Sequence, residues 1–186
     1  MKKITLLCLL LICQSSRATV SERLDYEYYT AHADPNRSLS SVVSEVSPIR
    51  ENGRIMFGHT HWNVSWHFHW HENPDGRCRM TDVNTDVATV IQLPRIVNAT
   101  PKQEDQFNKF MAALRVHELG HHENGKQAAR KIDQEILALP EMENCRALDA
   151  AANDLGYRIL KEYNNKDVQY DAITGHGKTQ GAVLSN

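Results

Sequence analysis

Residues 117–122 read His-Glu-Leu-Gly-His-His. On a helix, His117 and His121 stand one turn apart on the same face, a spacing suited to two ligands of one Zn²⁺ ion. Glu118 then lies beside the metal as a general base. Together these side chains would polarise a water and take its proton, which is the chemistry of a metal-assisted hydrolase. A catalytic zinc usually has three protein ligands and a water, so a third ligand must come from elsewhere. The tail at residues 169–177 offers His176 first and Asp171 second, flanked by Gly175 and Gly177. Asp171 has the alternative role of orienting a ligand histidine. Glu135 and Glu143 are further carboxylates within reach, but both sit on charged helical surfaces. Tyr170 is placed either to donate a hydrogen bond to the oxyanion of a tetrahedral intermediate or to pack the tail against the last helix. His122 diverges by about 100° from His121 around a helix and reads as a surface residue.

A second set, His59, His61, His67, His69 and His71, holds five of the ten histidines of the chain. Alternating histidines on one strand face can bind a metal, so a metal-binding module without catalysis competes with the hydrolase reading. No carboxylate or cysteine alternates with them, which favours a solvated face. The same strand is also suited to offer its edge to an extended peptide.

The elements that must position these groups are legible from periodicity. Residues 24–32 are Tyr-rich and read as a first strand, closed by Asp34-Pro35-Asn36. A short helix over 39–46 follows, with Ser38 or Ser40 as its cap. Across 54–70 apolar residues alternate: Trp62, Val64, Trp66, Phe68 and Trp70 share one face, read as core, and Asn63, Ser65, His67 and His69 the other. Asn73-Pro74-Asp75-Gly76 turns the chain into a second strand over 78–93, giving an antiparallel hairpin with an apolar face to cover. Thr100-Pro101-Lys102-Gln103 has the residues of a capping box with Pro at the first helical position. Phe107, Phe110, Met111 and Leu114 then form an apolar stripe that leads on to His117 and His121, so the motif faces the interior. Gly125 is a candidate kink before helical residues 126–139. Asn144 caps a last helix expected to end near Asn164-Asn165, with a loop beyond it. The expected fold is α+β: an antiparallel sheet packed on a helical half.

The N-terminus bounds the compartment. Lys2 and Lys3, an apolar run over 4–13 and small residues near Ala18 have the order of an export signal, with cleavage after Ala18. Residues 1–18 are thus expected to leave, and 19–186 to form one domain. Losing Lys2, Lys3 and Arg17 leaves 18 of 21 basic residues against 23 acidic ones. Such a chain has no basic footprint for nucleic acid, and it has no further apolar run able to span a bilayer. Of four cysteines, only Cys78 and Cys145 remain, and a pair in an oxidising compartment reads as one disulfide.

The His-Glu-x-x-His stretch at 117–121, Cys145 opening the next helix, and the tail Tyr170-Asp171-x-x-Thr174-x-His176-Gly177-x-x-Gln180-Gly181-Ala182 resemble a bacterial family of predicted secreted zinc-dependent proteases, domain of unknown function 922. The Trp-rich hairpin leading into Cys78 fits the same pattern. The resemblance implies a zincin-like helix, with His117 and His121 as zinc ligands, Glu118 as catalytic base and a peptide or protein as substrate. A metalloamidase acting on cell-wall peptides is the closest alternative chemistry.

Overall fold

The computed structural model describes residues 19–51 and 53–184. The expected export signal, residues 1–18, lies outside the described residues. In chain order the elements are β1 (Thr19–His32), α1 (Leu39–Val46), the two-residue strands β2 (Arg50–Glu51) and β3 (Arg54–Ile55), β4 (His59–Glu72), β5 (Cys78–Val97), α2 (Pro101–Leu137) and α3 (Cys145–Thr174). A short 3₁₀ turn over Lys178–Gln180 follows.

β5 is the central strand of a three-stranded sheet in the order β1-β5-β4. β4 pairs with it antiparallel, as the turn at 73–76 requires. β1, however, runs parallel to β5 along its whole length, from Thr19 opposite Asn84 to His32 opposite Val97. The sheet is therefore mixed, not antiparallel. Side-chain alternation reports which face of a strand is buried but carries no sign of its direction. The crossover through α1 and the β2–β3 hairpin delivers the chain to the far side of β5, where β4 runs opposite to β1.

Every second residue of β5 faces inward: Val83, Thr85, Val87, Thr89, Ile91 and Leu93 are all buried. Two apolar clusters cover that face. In one, Ala128, Ala129, Ile132 and Ile136 of α2 and Leu148, Ala152 and Ile159 of α3 pack on Val64, Val83 and Val87. In the other, Phe107, Phe110 and Leu114 of α2 pack on Ile91, Leu93, Val42 and Val43. His117, Glu118, His121 and His122 lie on α2 between the two clusters, and all four are buried. The helix thus carries its polar residues where apolar packing on both sides holds the backbone still.

α2 begins with the expected capping box, in which Gln103 N–H donates to Thr100 Oγ1 and Gln103 Oε1 accepts from Thr100 N–H. It then runs unbroken to Leu137. Gly125 does not kink it; the missing Cβ makes room for the Trp62 indole, which a side chain there would strike. α3 is capped by Asn144 as expected, but it continues past Asn164-Asn165 to Thr174 and ends at Gly175 in the left-handed conformation. Tyr170 and Asp171 are therefore helical, and only His176 and the residues after it lie beyond the helix. Burial of Tyr163 and the bonds made by Asp167 hold the extra turns in place.

Two side chains also differ from their expected settings. His122 is buried, with Nδ1 2.9 Å from Thr89 Oγ1, instead of facing water. Trp70 is 41% exposed, because the register of β4 shifts between His69 and Trp70. Trp62 and Trp66 keep their place against the core, their indole N–H groups donating to Asp167 and Asn153. A disulfide joins Cys78 at the start of β5 to Cys145 at the start of α3, as the paired cysteines suggest. No helix among the described residues is long and apolar enough to cross a membrane.

Candidate metal centre

His117 and His121 project from α2 toward α3, and both aim at one oxygen. His117 Nε2 and His121 Nε2 each lie 3.1 Å from Asp171 Oδ1. Tetrahedral zinc with bonds of about 2.0–2.1 Å needs its donors about 3.3 Å apart; each histidine nitrogen is near that spacing from the Asp171 oxygen, and all three donor atoms lie within 4.8 Å of one another. The three side chains form one of the groups of residues able to hold a metal ion.

The rings are held from behind. His121 Nδ1 lies 2.9 Å from Asp167 Oδ1, and an ionised carboxylate can only accept, so that nitrogen carries the proton. Asp167 is itself fixed by Trp62 Nε1–H at 2.7 Å and Asn124 Nδ2–H at 2.7 Å. His117 Nδ1 lies 3.0 Å from Gln180 Oε1, while the amide of Gln180 donates to Tyr170 Oη at 2.9 Å. Outer acceptors of this kind set the tautomer and leave Nε2 to face a metal.

Burial works against a charge on His121, yet the hydrogen bonds and negative charges of Asp167 and Asp171 outweigh it and push its pKa up to about 10. For Asp171, burial favours the neutral acid, but the hydrogen bonds from His117 and His121 dominate and hold its carboxyl well below the usual range. Proton and metal thus compete for the same nitrogen, which is how ligand histidines behave when a cation enters.

His176 stands apart from this trio. Its backbone is left-handed, at φ 53°. Its Nδ1 is 3.4 Å from Asp171 Oδ1 and 3.7 Å from Glu51 Oε2, so it groups with Glu51 and Asp171 instead of with the two helix histidines. Asp171 is common to both groups. Of the two tail candidates, it is Asp171 that meets both His117 and His121. Glu135 is engaged with Lys131.

Glu118 is buried next to His117 and accepts a hydrogen bond from Thr60 Oγ1 at 2.8 Å. Burial raises its pKa, with the Thr60 bond and the two histidines pulling the other way. Tyr170 stacks on His117 with ring centroids 5.1 Å apart and meets His121 edge-on at 5.0 Å. Its hydroxyl is engaged by Gln180, and it is not among the residues lining the cleft.

Three glycines shape these contacts. A Cβ on Gly58 would collide with the Glu118 carboxylate, one on Gly120 with the Tyr170 ring, and one on Gly177 would press at 3.0 Å on the His117 ring. His117, Glu118, Asp171 and His176 all line a single cleft of about 340 Å³, together with Gly58, His59 and Thr60 at the start of β4.

Asp167, Gln180, Thr60 and Trp62 complete the site, and none is evident from the His-Glu-x-x-His motif. Asp167 had one readable signal: it precedes Asp171 by four residues, the spacing of one helical face, once α3 is known to extend that far.

Comparison with known proteins adds the family. The sequence model of a bacterial family, described as a protein of unknown function and designated domain of unknown function 922, matches residues 26–177. The chain belongs to this family. The matched span runs from β1 to Gly177 and so takes in the whole trio and its outer partner Asp167, while Gln180 lies just beyond it. Among curated proteins and among solved structures, none matches the chain.

Proposed function

We propose that this family member is a zinc-dependent metallopeptidase, exported from the cytoplasm, that hydrolyses peptide bonds with a metal-activated water. The observation that carries the reading is the convergence of His117 Nε2 and His121 Nε2 on Asp171 Oδ1 at 3.1 Å, each ring held by an acceptor behind it. The donor set fits zinc: two buried imidazoles and one half-buried carboxylate whose donor atoms converge. The Cys78–Cys145 disulfide supports an oxidising compartment.

Zinc held by His117, His121 and Asp171 would act as a Lewis acid on the water and on the scissile carbonyl. Glu118 takes the proton as the water oxygen bonds to the carbonyl carbon, and it returns that proton to the amine nitrogen as the C–N bond breaks. Thr60 holds the Glu118 carboxylate by one oxygen, which leaves the other free for the proton. Asp167 keeps the His121 ring in position throughout, and Tyr170 supports both rings from behind.

The test is Glu118→Gln in the zinc-loaded protein. Zinc content should stay at one ion per chain while peptide cleavage falls by at least about 100-fold. Unchanged cleavage by this variant would remove Glu118 from the mechanism. Full zinc retention by His121→Gln would remove the site.

A further inference from the structure

The cleft has two chemically different parts, and together they describe a ligand. Phe110, Leu114 and Glu118 recur every fourth residue of α2, so one helix face forms a continuous wall from an apolar recess to the proposed base. Phe57 faces Phe110 edge-on at 5.8 Å between ring centroids, and Ala182 and Leu184 close the recess. The recess opens directly beside Glu118, because Gly58 touches both the Glu118 carboxylate and Leu114: a Cβ there would come within 3.0 Å of Leu114 Cδ1. A side chain seated in it would belong to a residue next to the reacting carbonyl. The volume, about 340 Å³, lies at the small end of ligand sites and suits one large side chain with its flanking backbone.

The same cleft is lined by Arg54 and Lys178. Among the described residues neither makes an ion pair. Glu51, opposite Arg54 in the β2–β3 register, instead lies 3.7 Å from His176. The cleft's carboxylates Glu51, Glu118 and Asp171 are engaged by His176, Thr60 and the two helix histidines, so the two cations that form no ion pair, beside an apolar recess, suit a ligand that carries both a large apolar side chain and a nearby negative charge.

We propose that the cleft binds an extended peptide through a large apolar side chain in the recess of Phe57, Phe110, Leu114 and Leu184, with an adjacent acidic residue on Arg54 and Lys178. This deepens the peptidase reading and rests on it for the identity of the ligand as a peptide. Specificity is then for an apolar residue at the scissile bond with an acidic neighbour, not for a folded protein surface.

The experiment titrates acetylated hexapeptide amides into zinc-loaded Glu118→Gln protein. The peptides carry Leu beside Glu, in both orders, and are compared with their Ala and Gln counterparts. In the preferred order, Leu→Ala should weaken binding at least about tenfold. Glu→Gln should weaken it about threefold, a difference that closes at about 0.5 M salt. Lys178→Glu, an exposed position, should abolish the Glu preference and keep the Leu preference. Equal binding of Leu and Ala peptides, or no binding of any, overturns the proposal. The wild-type protein, assayed on the same peptides by mass spectrometry, separates the two readings. Cleavage without the Leu and Glu preference sinks this inference alone. The preference in binding with no cleavage sinks the peptidase reading and leaves a peptide-binding site.

Discussion

The chain has two histidine-rich regions, and they behave in opposite ways. On α2, His117 and His121 are buried, each has an acceptor on Nδ1, and their Nε2 atoms converge on Asp171. On β4, His59 borders the cleft, but His61, His67, His69 and His71 are exposed and do not converge. His69 shows the contrast: its side chain is 75% exposed and lies 3.7 Å from Asp82, which is itself largely in water. No group of β4 histidines among the described residues comes together as a potential metal site. What distinguishes the two α2 histidines is the partner behind each ring and the shared carboxylate in front, not the number of histidines nearby. A ring without that partner must lose its freedom on binding, and solvent screens whatever charge it meets.

The largest expected effect tests this difference directly. His121→Gln should bring zinc content, measured by elemental analysis after dialysis, down to background. Replacing His67, His69 and His71 together by Gln should leave it at one ion per chain. Loss of zinc in the triple variant would place a ligand on β4 and erase the contrast.

Removing the partner while keeping the ligand should have an intermediate effect. Asp167→Asn leaves His121 in place but weakens the acceptor on its Nδ1. Zinc affinity, measured by competition with a chelator, should fall about 10–100-fold. An unchanged affinity would mean that the ring is held by packing on Tyr170 alone.

The smallest effect is on the metal-free protein. The pKa of His121 is pushed up to about 10 from a reference value of 6.5. A histidine raised in this way stabilises the fold fully below its unfolded pKa, and the contribution disappears as pH climbs through the folded value. The melting temperature of the metal-free protein should therefore decline between about pH 6.5 and pH 10, and Asp167→Asn should flatten the decline. A decline unaffected by Asp167→Asn would mean that other groups carry it.

Legibility of the sequence followed the same division. The α2 motif, its inward direction and its capping box could be read because a helical stripe from Phe107 to Leu114 points at His117, and because Thr100, Pro101 and Gln103 each have a local role. The hairpin could be read from alternation and a turn. The end of α3 could not, because Asn164-Asn165 looks like a stop locally. What overrides it is tertiary: Tyr163 is buried against the core and Asp167 is held by Trp62, 105 residues away. A helix ending at Asn164-Asn165 leaves Tyr170 and Asp171 in a loop, whereas in the fold both are on α3. The parallel direction of β1 was equally invisible, since burial alternates in the same way whichever direction a strand runs.

Gly58, Gly120 and Gly177 each fit against a different side chain of the candidate site: the Glu118 carboxylate, the Tyr170 ring and the His117 ring. None has a functional group, so a search for reactive side chains passes over all three. Yet each contact leaves no room for even a methyl group without displacing its neighbour. In a scan of every single substitution scored by zinc retention, these three positions should be about as intolerant as His117 itself. Gly53 and Gly76, which have nothing within 4 Å of a Cβ, should be limited only by their positive φ. Part of the site's specification is written as missing atoms.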